Sequence, residues 1–310
     1  MSARRISYDA GLLRFSSALD FHPVPIVLEG ALIMWFGLRK TAVAGLLSSA
    51  LVAATLAVPA PAAAAPDPVR PAIAIACRNA SVVFIGAHGS GESPFGRSGL
   101  GPVMWSAYSS MDRKLAARGV RVNAVAVDYW ALHPNTLLLL PWDSSAFFAS
   151  IADGVAKTRR LLDDYRNSAD CRGKQLVLGG YSQGAMVIHR VLQQLHPTTA
   201  PLPGFIGALL VADGDRLAHD GYLVGGARPE TVGIGQVFPW LSGSGSERDM
   251  ASKWDIFFTE VCKPRDIVCS PELQPGNAWG MIGQIYNQIG IHLTYANSAV
   301  LDEAAQGVVY

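Results

Sequence analysis

The stretch that most constrains the fold is Gly180-Tyr181-Ser182-Gln183-Gly184, directly behind the apolar run Gln175-Leu176-Val177-Leu178-Gly179. A short β-prone run, then G-x-S-x-G, then a helix-like segment is the pattern of a nucleophile elbow. Such an elbow holds its serine at the tip of a sharp strand-to-helix turn, in a strained backbone conformation. Gly180 and Gly184 lack the Cβ atoms that would collide across so tight a turn.

The flanking sequence fits one sheet of the kind an elbow needs. Residues 81–87 (Ser-Val-Val-Phe-Ile-Gly-Ala) read as a buried strand that ends in the turn His88-Gly89-Ser90-Gly91-Glu92. Residues 102–118 read as a helix stopped by Gly119, and 121–128 as a second strand. Residues 144–166 carry helical spacing through Phe147, Phe148, Ile151, Val155, Leu161 and Leu162. After the elbow come a helix over 183–195 and strands over 205–212 and 254–261. Residues 65–76 are Pro/Ala-rich and read as an extended arm, and 213–250, with eight glycines, as a loop. Strands alternating with helices predict an α/β fold with a largely parallel sheet covered on both faces. Its active site belongs at the carboxyl ends of the strands, where Ser90, Ser182 and Asp266 all fall.

Composition bounds the cell biology. Residues 41–58 contain no charge and no proline, follow Arg39-Lys40 and precede Pro59-Ala60-Pro61-Ala62-Ala63-Ala64-Ala65. A basic start, an apolar middle and an A-x-A site describe a secretory signal peptide, expected over 34–64 with cleavage after Ala64. An uncleaved membrane anchor is the competing reading. Met34 starts a well-formed signal, so residues 1–33 are read as an over-extended gene start. Residues 65–310 then suit one α/β domain. Without the five basic and three acidic residues of 1–64, the mature chain is close to neutral, with no basic run to suggest nucleic acid. Its four cysteines, an even count in an exported chain, read as two disulfides.

A serine nucleophile needs a base oriented by a carboxylate, in the chain order Ser, Asp or Glu, His. Four histidines follow Ser182. His189 and His196 lie on or near the helix behind the elbow and read as packing or surface residues; His219 lies in the Gly-rich segment. His292, in Ile291-His292-Leu293-Thr294-Tyr295, stands where the base is expected. Asp266, in Cys262-Lys263-Pro264-Arg265-Asp266-Ile267-Val268-Cys269, is the candidate acid. Asp213 and Asp215 compete with it, although Asp213-Gly214-Asp215 reads more simply as a turn. The backbone N–H of Gln183 and a donor on Ser90 suit an oxyanion hole. This chemistry needs no metal and no organic cofactor. Trp130, residues 137–140, Trp142, Phe147 and Phe148 are candidates for an acyl groove, and Phe238-Pro239-Trp240-Leu241 for a flap.

Together these motifs resemble the cutinase family of serine esterases, especially the cutinase-like proteins of actinobacteria. Gly180-Tyr181-Ser182-Gln183-Gly184 is similar to the family's nucleophile motif, Cys262-x3-Asp266-x2-Cys269 to its acid motif and His292-Leu293-x-Tyr295 to its histidine motif. His88-Gly89-Ser90-Gly91-Glu92 is similar to its oxyanion segment, although His88 replaces the usual Arg. The interval from Asp266 to His292 and the segment 213–250 are longer than in the compact fungal enzymes. The resemblance implies an α/β-hydrolase, a cutinase-like three-layer sandwich, with Ser182, Asp266 and His292 as the triad. It implies Ser90 and Gln183 as the oxyanion hole, and Cys77–Cys171 and Cys262–Cys269 as the disulfides. The function it implies is a secreted, monomeric carboxylesterase for short- to medium-chain esters. Its substrate would be an ester or lipid, with a polyester and a cell-envelope lipid among the candidates, and it would keep no stable membrane span once the signal is removed. Three alternatives stay open: a carbohydrate acetyl esterase, an acyltransferase to envelope alcohols, and a scaffold that has lost turnover.

Overall fold

The structure is a computed structural model describing residues 69–92, 95–133, 144–237, 249–273 and 278–309. The expected gene start, the signal peptide, most of the proposed acyl groove (137–140 and Trp142) and the proposed flap lie outside these residues.

Six strands form one sheet: β1 (Val82–Ala87), β2 (Val122–Ala126), β3 (Gln175–Tyr181), β4 (Phe205–Val211), β5 (Tyr222–Val224) and β6 (Phe257–Val261). Their order is β2-β1-β3-β4-β6-β5, and every neighbouring pair is parallel. The chain runs from β1 out to the β2 edge and returns to β3 on the other side of β1. The sheet therefore reverses direction between β1 and β3, a topological switch point, and Ser182 follows β3 there.

Strand periodicity sends alternate side chains to two cores. Val83, Ile85, Leu176, Leu178, Ala208, Leu210 and Phe258 face one side. That side is covered by α1 (Val69–Arg78), α3 (Ser144–Asn167), α4 (Gln183–Gln194) and α6 (Met250–Trp254), through residues such as Ile151, Leu162, Val187 and Trp254. Val82, Phe84, Val177, Leu209 and Val211 face the other side, under α2 (Gly101–Ala116) and α8 (Ala299–Gly307). The result is the expected three-layer α/β-hydrolase architecture. Among the described residues, the two remaining α-helices are α5 (Ile234–Val237) and α7 (Ala278–His292).

Most boundaries fall where the sequence places them, and three do not. The supposed arm is helical from Val69. Pro71 occupies the first turn, where its missing N–H has no helical partner to lose, and Ile73, Ala76 and Cys77 form the buried stripe. Trp254 ends the helix α6, so the last strand begins later, at Phe257. The Gly-rich segment contributes β5 and α5, the former pairing with β6 as the sheet's edge. The end of α2 is as expected: Gly119 adopts φ 72° and Val120 N–H closes onto Leu115 O at 3.0 Å. Both disulfides are present. Cys77–Cys171 ties α1 to the turn before β3, and Cys262–Cys269 closes the loop after β6.

Candidate active site

The elbow forms as the sequence requires. Ser182 leaves β3 with φ 54° and ψ −117°, a conformation costly for any residue with a side chain. Its neighbours hold it there. Ser182 N–H donates to Val211 O at 2.8 Å, and Ser182 O accepts from Met186 N–H at 3.1 Å, opening α4. A Cβ on Gly180 would stand 2.3 Å from Gly184 O, and one on Gly184 would stand 2.1 Å from Ala87 O. Glycine at both positions is thus enforced by backbone contact, one of them with the strand that leads to Ser90.

His292 closes α7 and brings its ring to the serine. Its Nε2 lies 2.9 Å from Ser182 Oγ, and its Nδ1 lies 3.0 Å from each oxygen of Asp266. All three side chains are buried, Asp266 completely. Asp266 sits inside the disulfide-closed loop. Its Oδ1 accepts from Val268 N–H at 2.7 Å and Cys269 N–H at 3.3 Å, and its Oδ2 from Tyr295 Oη at 2.8 Å. Burial works against ionising this carboxyl, but His292, Val268 N–H and the Tyr295 hydroxyl outweigh it and hold the carboxyl below its ordinary value.

Two tyrosines that the motif analysis gave no role complete the arrangement. Tyr181, next to Ser182, stacks on His292 with ring centroids 5.1 Å apart and donates its hydroxyl to His292 O at 2.8 Å. Tyr295, one turn past His292, donates to Asp266 and accepts Lys263 N–H, each at 2.8 Å. The signal for both was their spacing, one residue before Ser182 and three after His292.

The segment expected to supply the oxyanion hole is braced rather than free. Glu92 accepts Gly89 N–H at 2.7 Å and Val103 N–H at 3.2 Å, pinning the turn that carries Ser90 to the start of α2. Gly89 lies so close to Tyr181 that a Cβ would meet its ring at 2.5 Å. Burial pushes the Glu92 carboxyl up to about 7, against the pull of those two N–H groups. The Gln183 side chain is committed away from the crevice, donating to Ser150 Oγ at 2.7 Å, so only its backbone is left for an oxyanion. His88, in the place of the expected Arg, is buried against Tyr129 with its Nδ1 3.1 Å from Gly89 O, and burial lowers its pKa.

The other candidates separate from the site. His196 and His219 are exposed. His189 is not a surface residue: it is fully buried and its Nδ1 bonds Asp213. That partnership removes Asp213 as the acid for His292, although Asp213 Oδ1 also makes the expected turn by accepting Asp215 N–H at 3.0 Å. Asp215 pairs with Arg190. Of the proposed acyl-groove residues described, Phe147 is buried and Trp130 is exposed.

Residues 76–309 match the family model described as Cutinase. The chain belongs to the cutinase family. Among relatives it is 34% identical over 159 residues to the phospholipase Culp4 of Mycobacterium tuberculosis, covering 51% of this chain and 54% of that protein. It is 24% identical over 158 residues to a carboxylesterase Culp6 homolog of Corynebacterium glutamicum, covering 47% and 50%. The chain thus spans about half the length of the curated relatives it matches. A cutinase-like protein from Cryptococcus superposes with a TM-score of 0.48 at 20% identity, over 73% of this chain and 91% of its own.

Proposed function

We propose that this member of the cutinase family is a secreted serine carboxylesterase that hydrolyses short- to medium-chain esters, lipid esters included, through an acyl-enzyme. The observation that carries this reading is the unbroken hydrogen-bonded line from Ser182 through His292 to Asp266 at the strand ends. In this mechanism Ser182 Oγ attacks the ester carbonyl while His292 Nε2 takes its proton. Asp266 stabilises the imidazolium and fixes the tautomer. The backbone N–H of Gln183, at the positive end of α4, and the donors of Ser90 receive the oxyanion. His292 returns the proton to the leaving alcohol, and water repeats the sequence on the acyl-Ser182 ester to release the acid. The chemistry is complete without a cofactor.

Export rests on the 34–64 signal pattern and is supported by the two disulfides, which persist in oxidising compartments. The name of one curated relative, a phospholipase, favours an acyl-lipid substrate over a carbohydrate acetate, and that of the other, a carboxylesterase, fits either. A chain-length series of p-nitrophenyl esters on the purified protein, with Ser182→Ala as control, tests the assignment. The expected result is a C4–C10 optimum and a loss of at least 10³-fold in kcat for the variant. A C2-only profile selects the acetyl esterase alternative, and release of a new ester with an added alcohol selects acyl transfer. Undiminished turnover by Ser182→Ala overturns the reading.

A further inference from the structure

On the α4 side of the sheet, behind the elbow, lies a cluster of ionisable groups that the hydrolytic mechanism does not use. His189 from α4, Asp213 just past β4 and Glu260 from β6 are each 0% exposed. One ring nitrogen of His189 and one carboxylate oxygen from each acid all lie within 4.8 Å of one another. Among the described residues, His189 Nε2 and both oxygens of Glu260 have no hydrogen-bond partner. Asp220, also buried, interacts electrostatically with His189 and Glu260 and has an unpartnered Oδ2.

The neighbouring cations do not resolve this. Arg190 is bonded to Asp215 at 2.5 and 3.2 Å. The buried Arg216 gives its Nε to Cys269 O at 2.9 Å and its Nη2 to Thr231 Oγ1 and Arg228 O. Among the described residues, four buried carboxylates, Asp213, Asp215, Asp220 and Glu260, lie with two guanidinium groups and the His189 imidazole, which is paired with Asp213. A proton on Glu260 would remove one charge, yet its two oxygens would still lack partners. A divalent cation supplies both the missing charge and the missing contacts.

We propose that His189, Asp213 and Glu260 form a structural binding site for a divalent transition-metal ion, Zn²⁺ first and Mn²⁺ second. One imidazole with two carboxylates is a donor set suited to these ions, and three protein ligands leave a position for water. Tetrahedral Zn²⁺ with bonds of about 2.0–2.2 Å needs ligand atoms about 3.4 Å apart, so small side-chain rotations close the cluster. The ion would join three elements: the helix behind Ser182, the strand end that accepts Ser182 N–H, and the strand that runs into the Cys262–Cys269 loop. It stabilises the frame of the site and takes no part in ester chemistry.

The test uses the whole mature protein, unfolded in guanidinium and chelator with disulfides intact. It is then refolded without metal, with Zn²⁺ or with Mn²⁺, and desalted. The expected result is one equivalent of metal per chain by elemental analysis. At free metal about 100-fold above Kd, Tm should rise by about 5–11 °C. Glu260→Gln should hold less than a tenth of an equivalent and lose the shift. Anomalous scattering at the zinc edge should place the ion between His189, Asp213 and Glu260, which decides the matter even if the variant does not fold. Less than a tenth of an equivalent in the refolded wild type with unchanged Tm overturns the proposal. So does metal retained in full by folded Glu260→Gln, or an anomalous peak elsewhere.

Discussion

Tyr295→Phe separates the support of the triad from the triad itself. The phenol hydroxyl donates to Asp266 Oδ2 and accepts Lys263 N–H, each at 2.8 Å, and the ring is fully buried. Losing a hydrogen bond to a buried carboxylate costs about 1.5–3 kcal/mol. The part-buried Lys263 N–H, which finds water more easily, adds up to about 1 kcal/mol. The variant should therefore lose about 2–4 kcal/mol of stability, on the order of 5–15 °C in Tm for a domain of this size. Asp266 keeps its bonds to His292, Val268 and Cys269, so turnover should persist with kcat lowered about tenfold, equivalent to ~1.4 kcal/mol. KM should not change, because the hydroxyl bonds Asp266 and the Lys263 backbone and makes no hydrogen bond to Ser182.

The pH dependence of that loss has a definite sign. Asp266 titrates below its ordinary value in the folded protein, so its contribution to stability is present above the unfolded pKa and is lost as pH falls through the folded one. Removing the hydroxyl shrinks that contribution. The stability gap between wild type and Tyr295→Phe should thus be largest near neutrality and narrow below about pH 4. Urea melts at several pH values, together with kcat and KM on p-nitrophenyl butyrate, measure all of this. A loss under 0.5 kcal/mol, or an effect confined to KM, refutes a supporting role for Tyr295.

Two further substitutions probe the oxyanion side. Glu92→Gln replaces one of two N–H acceptors with a donor and should lower kcat about tenfold by loosening the turn that carries Ser90. Because the Glu92 carboxyl titrates near 7 when folded, ionising it opposes folding. Wild type should therefore lose up to ~3 kcal/mol relative to Glu92→Gln between about pH 4.5 and 7, as read by thermal melts across that range. Gly184→Ala would put a Cβ 2.1 Å from Ala87 O and 2.5 Å from His88 O. A cost above about 4 kcal/mol is expected, seen as loss of soluble folded protein or a collapse of Tm.

What the sequence made legible were features with local signatures. The elbow is written in five consecutive residues because its sterics are local. The acid and base lie in short motifs whose order matches the elbow. Helix α1 was misread because proline and alanine enrichment suggests an extended chain, whereas the burial of Ile73 and Cys77 that fixes the helix comes from distant partners. The short edge strand β5 was missed because three residues, Tyr222–Val224, carry too little periodicity to stand out from a Gly-rich segment. His189 was read as packing or surface because helical spacing gives no sign of a carboxylate waiting at residue 213 or 260. Glu260 carries no local sign of its burial, since a charged residue at the end of a strand usually faces water.

The two tyrosines show how the proposed triad, drawn from three distant parts of the chain, stays in register. Ser182 is held by the elbow, His292 by the end of α7 and Asp266 by a disulfide-closed loop, and none of these is covalently near another. Tyr181 spans the first gap: it precedes the nucleophile, stacks on the imidazole and bonds the backbone carbonyl of His292. Tyr295 spans the second, following the base by three residues and bonding the acid. His292 is therefore held through its backbone carbonyl and by ring contacts with Tyr181 and Tyr295, none of which consumes a ring nitrogen. Nδ1 stays free for Asp266 and Nε2 for Ser182. The Tyr181 hydroxyl bonds the backbone of His292, so proton transfer at Nε2 would leave both that bond and the Nδ1–Asp266 bond in place.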